Sequence, residues 1–143
     1  MGNFAQHAQL YRETAAREGH NPATLKVGLS GVGLVLRKDA QAVFKPYWLD
    51  TMKRISSERG FPMPSEVTYN MQAARSGAIF VGNPEEVAEK IVLAQSQMQH
   101  DRHILQLDWS SVPQTQVLES IELLGTEVLP LVRRELGLDA PKR

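Results

Sequence analysis

Apolar positions along this chain recur at two periods, and the switches between them divide it into helices and strands. In residues 3–18, Phe4, Ala8, Tyr11 and Ala15 fall at helical spacing behind Asn3, whose side chain suits an N-cap. Gly19-His20-Asn21-Pro22 then stops the helix. Residues 25–36 change to a period of two: Leu25, Val27 and Leu29 alternate, and Val32, Leu34 and Val35 continue, which predicts a strand. Gly28, Gly31 and Gly33 interrupt it, as glycine does at a bulge or where another backbone comes close.

Helical spacing returns at residues 39–59, with Asp39 as the cap and Val43, Phe44, Tyr47, Trp48, Met52 and Ile55 as the stripe. Pro46 stands about two turns inside, so a late start or a kink is expected. After the Gly60-Phe61-Pro62-Met63-Pro64 loop, Ser65 caps a shorter helix ending near Gly77. A brief apolar run, 78–81, leads into Gly82-Asn83-Pro84-Glu85-Glu86, the clearest local signal: Asn at the N-cap, Pro first and Glu third. That helix runs to about Met98 and buries Val87, Ile91, Ala94 and Met98. Residues 103–109 form a strand through Ile104, Leu105 and Leu107. A last helix carries Val117, Ile121, Leu124, Val128, Leu131 and Leu136, with a kink expected at Pro130, and residues 138–143 are expected to fray. Strands alternating with helices imply an α/β protein with parallel pairing, helix-rich, with two or three strands.

Composition narrows the function more than the fold. The 143 residues carry 16 basic and 16 acidic side chains, which excludes the basic footprint of a nucleic-acid binder. With no cysteine there is no disulfide framework, thiolate metal site or Cys nucleophile. No run has the length of a membrane span and no signal peptide is visible, so a soluble cytoplasmic protein without a membrane partner is expected.

One stretch carries more than structure. Phe80-Val81-Gly82-Asn83-Pro84-Glu85-Glu86-Val87-Ala88-Glu89-Lys90-Ile91 resembles a late segment of the luciferase-like monooxygenases, the flavin-dependent relatives of bacterial luciferase. Three further segments agree in order and spacing. They are Tyr11-Arg12-Glu13 with Gly19-His20-Asn21-Pro22-Ala23-Thr24-Leu25-Lys26-Val27, the strand around Leu105-Gln106-Leu107-Asp108, and Ser120-Ile121-Glu122-Leu123-Leu124-Gly125-Thr126-Glu127-Val128. The resemblance implies the C-terminal part of a (β/α)8 TIM-type barrel, with 25–36 as the seventh strand and 103–109 as the eighth. Such a barrel takes roughly 250 residues. The chain then reads as an incomplete unit of two to three βα repeats, lacking the N-terminal half that holds much of the flavin: a fragment, a truncated gene product or a trimmed species. Met1-Gly2-Asn3-Phe4-Ala5 also departs from the family, standing where a Gly-Gly strand exit is expected. The implied chemistry is oxidation of a small organic substrate by a peroxyflavin formed from reduced FMN, or from a deazaflavin analogue. A flavin reductase is the implied partner of a full-length member. The alternative is an inactive partial barrel that self-associates, as a homo-oligomer, through its open sheet edge and apolar faces.

Six residues are candidates to touch the cofactor. Gly82 and Asn83 stand at a helix N-terminus, which suits a flavin phosphate; a capping box closing that helix is the competing reading. Ser30 and Gly31 lie in the first strand, where a flat ring needs close approach and a bulge needs the same glycine. Asp108 and Trp109, with Ser110, end the last strand, where barrel chemistry is placed. Turn hydrogen bonding and plain packing are the alternatives for Asp108 and Trp109. The aromatic stripe of Val43, Phe44, Tyr47 and Trp48 reads as core or interface rather than ligand wall. His7, His20, His100 and His103 lack metal-ligand spacing, Ser30 lacks a nucleophile elbow, and Gly31 with Gly33 lacks the third glycine of a dinucleotide loop. No catalytic residue is assigned.

Overall fold

The computed structural model describes residues 2–109 and 111–138, apart from the side chains of Gly2 and Asn3. Ser110 and the tail 139–143 lie outside the described residues. Helix α1 (Gly2–Arg17) starts ahead of Asn3, and strand β1 (Gly28–Val35) is the inner part of the expected 25–36. Helices α2 (Ala40–Arg59) and α3 (Glu66–Ala73) follow, then strand β2 (Ile79–Gly82), helix α4 (Pro84–Met98) and strand β3 (Arg102–Gln106). The last helix is divided into α5 (Gln114–Leu123), a π turn (Leu124–Val128) and α6 (Leu129–Glu135). Helix α2 runs through Pro46 without a break in its assignment.

The three strands form one parallel sheet in the order β2-β1-β3. β1 is the central strand; β3 pairs with its first half, Gly28 to Val32, and β2 with its second, Val32 to Val35. Side chains alternate across β1 and build a core on each face. Leu34, with Ile79 and Val81 of β2, packs under Phe44 and Trp48 of α2 and Tyr69 of α3. Leu29, Val35 and Phe80 pack under Val87, Ile91 and Ala94 of α4 and under Val128 of the π turn. The aromatic stripe of α2 is therefore core. Phe44 is fully buried, and Trp48 meets Tyr69 edge-on with ring centroids 5.5 Å apart.

Two departures from the expected pattern have physical causes. Pro130 has no N–H to give the Thr126 carbonyl and its ring crowds that turn. The helix widens just ahead of it, so that the Leu129 amide bonds the Leu124 carbonyl five residues back. Ile121, expected in the buried stripe, is exposed, while Ser120 is fully buried. Strand β3 ends at Gln106, leaving the edge of β1 beyond Val32 without a neighbour strand, and the Ser120 hydroxyl accepts the Val35 N–H at 2.9 Å. A serine in that place substitutes for a missing strand carbonyl.

Candidate functional site

At the C-terminal edge of the sheet the turns after β1 and β2 lie side by side, followed by the N-termini of α2 and α4. Between them is an open cleft of about 490 Å³ lined by Arg37, Lys38, Asp39, Gln41, Gly82, Asn83 and Glu86. Carboxyl ends of parallel strands are the usual place for a ligand in such sheets.

The two helix starts differ. At α4 the Asn83 side chain accepts the Glu86 N–H and the Glu86 carboxylate accepts the Asn83 N–H, both at 2.9 Å. Gly82 lies against that carboxylate, so the donors a phosphate would use are already taken. At α2 the cap residue Asp39 sits in the left-handed region (φ 56°) and its side chain makes no cap hydrogen bond. The first amides of α2 thus have no side-chain cap. Lys38 is exposed beside them, and Arg37 is held by Glu127 of the π turn.

The other sequence candidates are spread over the sheet. Ser30 is exposed in the first half of β1, away from the cleft. Gly31 faces Phe80: a Cβ there would stand 2.9 Å from its ring. At Gly33 a Cβ would come within 2.2 Å of the Phe80 carbonyl oxygen, so close backbone approach, rather than room for a ligand, requires glycine here. Asp108 is exposed after β3, and Trp109 packs at the margin of the α2 core with its indole Nε1 buried and unpartnered.

A flavin needs donors for its phosphate and a flat slot for its ring. The start of α2 with Lys38 fits the first requirement. Gly31 and Gly33 do not supply the second, because Phe80 fills the space in front of them.

Two polar features lie on the other face of the sheet, beneath α4. Lys90 is 4% exposed, and its Nζ donates to the carbonyls of Ala74 (2.6 Å), Ile79 (2.5 Å) and Ala73 (3.1 Å), with that of Gln72 at 3.4 Å and the Phe80 ring 5.5 Å away. Burial pushes its ammonium down to about 8. His100 and His103 meet at 3.1 Å, Nε2 to Nδ1, and the His103 ring stands edge-on to Phe80. Both pairings were missed in the sequence. Lys90 lies three residues after Val87 and four before Ala94, so the helical spacing already placed it on the buried stripe. The histidines were weighed only as metal ligands, and among the described residues no cluster of three metal-binding side chains exists.

The fold is thus an α/β protein with an open parallel sheet covered on both faces, and no helix among the described residues is long and apolar enough to cross a membrane. No known protein family matches the chain, and no curated protein matches it.

Proposed function

We propose that this chain is the C-terminal part of a luciferase-like, flavin-dependent monooxygenase acting in the cytoplasm on a small organic substrate. The observation that carries the reading is the direct parallel pairing of β1 with β3, from Gly28 opposite Arg102 to Val32 opposite Gln106. The seventh and eighth strands of a (β/α)8 barrel must be parallel neighbours, and these segments, 74 residues apart in sequence, pair as such strands would. The ordered motifs from Tyr11 to Val128 supply the rest of the support.

A bound reduced flavin, FMN or a deazaflavin analogue, supplies the electrons and the reaction with dioxygen. The chain would contribute an anion-accepting end, where the uncapped start of α2 and Lys38 would hold the flavin phosphate. Gly82 and Asn83 build the wall of that cleft instead of donating to it, and Asp108 and Trp109 follow the end of β3 without lining the cleft. No residue is assigned a proton transfer.

A second reading rests on a specific observation. Among the described residues β3 pairs only with β1 and no strand covers its outer edge, Ile104 on it is 48% exposed, and Leu118 and Ile121 of α5 are exposed as well. A catalytically inactive partial barrel would bury these by self-association.

One experiment separates the two. The 143-residue chain is mixed with FMN, or with a reduced deazaflavin, passed through gel filtration, and measured for visible spectrum, oxygen consumption and mass. Co-eluting flavin with flavin-dependent oxygen uptake supports the enzyme. A colourless oligomer overturns activity of this chain and supports self-association.

A further inference from the structure

We propose that His100 and His103 form a proton-operated latch: with one proton shared between the rings the pair ties the turn after α4 to β3, and protonation of both rings releases the edge strand. This is independent of the flavin reading.

The facing nitrogens stay bonded while one proton lies between them and part when each carries its own. With His100 Nε2 and His103 Nδ1 3.1 Å apart, a single proton lies between them, one nitrogen donating and the other accepting. A proton on each of these nitrogens puts two N–H groups face to face and replaces the bond by repulsion. The outer nitrogens are poor alternatives: both are buried, His103 Nε2 has no partner, and only the Ala94 carbonyl lies near His100. His100 is 6% exposed, and the His103 ring is seated 4.5 Å, centroid to centroid, from Phe80.

The charges around the pair do not rescue a protonated state. Arg12 of α1 donates to the Met98 and Gln99 carbonyls at the end of α4, Arg102 follows on β3, and Lys90 of α4 lies over the Phe80 ring. The acid of the turn, Asp101, is occupied by Lys26 Nζ at 2.8 Å and by the Val27 N–H at 3.0 Å. On its other side His103 lines an apolar groove of about 390 Å³ walled by Ile91, Leu105, Leu124, Val128 and Val132, which offers no counter-charge. In keeping with this, burial and then the neighbouring His100 charge hold His103 down to about 4. Burial lowers His100 too, partly offset by the Ala94 carbonyl and Asp101.

Strand β3 is what gives way. It has five residues and, among the described residues, one neighbour strand, whereas the turn before it stays clamped because the hydrogen bonds from Lys26 and Val27 hold the Asp101 carboxyl below its ordinary value. Release bares the apolar side of Leu29 and Phe80.

The test is amide hydrogen exchange on the intact chain from pH 7 to 4, corrected for intrinsic rates, together with NMR titration of both histidine rings. Protection of residues 102–106 is expected to fall at least about tenfold, a linkage worth one pH unit of displaced titration, while residues 87–94 of α4 stay protected. The His103 ring is expected to titrate well below 6.5. The variant His103→Gln, which keeps a hydrogen-bonding group without a titratable charge, is expected to hold β3 protected to pH 4. An ordinary His103 midpoint, undiminished protection of 102–106, or loss of α4 and β3 together at one midpoint overturns the latch. Each is read on the wild-type chain, so a variant that fails to fold leaves the outcome decided.

Discussion

Helices α2 and α4 begin side by side at the same sheet edge, each directly after a strand, yet their first turns are opposites. α4 is closed by its own side chains, Asn83 and Glu86, and tied below by Lys90 to the end of α3 and the start of β2. α2 begins at a left-handed Asp39 with no side-chain cap. The stretch with the strongest sequence signal is thus the one whose donors are spent on itself. The adjacent turn leaves the start of α2 without a side-chain cap and carries Arg37 and Lys38. A capping box and an anion site compete for the same N–H groups, and a helix has one set of them.

The contrast can be pressed by substitution. The largest effect is expected for Lys90→Ala: several carbonyls lose their donor in the core, which should cost about 3 kcal/mol, read as a shift in the urea midpoint. Lys38→Ala at the open edge should stay within about 0.5 kcal/mol, and an equal loss at both sites would end the distinction. A matched pair at the caps comes next. Asn83→Ala removes a working cap and should destabilise by about 1 kcal/mol. Asp39→Gly removes no cap bond and relieves a side chain at φ 56°, so it should remain within about 0.5 kcal/mol of wild type. The same lysine can also be tested through pH. Lys90 titrates near 8 when folded against 10.5 ordinarily, so the folded state binds fewer protons across that window. Stability should therefore rise as pH climbs from about 8 towards 10.5. Lys90→Met should lack the rise, which urea unfolding at pH 8, 9 and 10 measures.

Much of this was legible in the chain. The helix–strand alternation, the parallel class and the buried stripe of α4 follow from periodicity, because burial on one face imposes period 3.6 or 2 whatever the partner is. The capping box is local, and its spacing alone specifies it. What escaped were contacts between segments. Gly31 and Gly33 read equally well as a bulge or a close approach until Phe80 of β2 was seen against them. Ile121 fits the apolar stripe of the last helix, and nothing in that helix says that Ser120 must turn inward to accept a β1 amide. His100 and His103 lie three apart across a turn, where the spacing does not say whether the rings converge.

The sequence by itself therefore determined the elements, their class and the self-capped start of α4, all of which depend on neighbours within a turn or two. Only the tertiary structure decided that β1 is central, that α2 rather than α4 offers free donors at the sheet edge, and that a lysine and two histidines are buried beneath α4. Those outcomes depend on which strands pair and which faces meet. The free energy of a buried polar group is set by partners distant in the chain, and local periodicity carries no record of them.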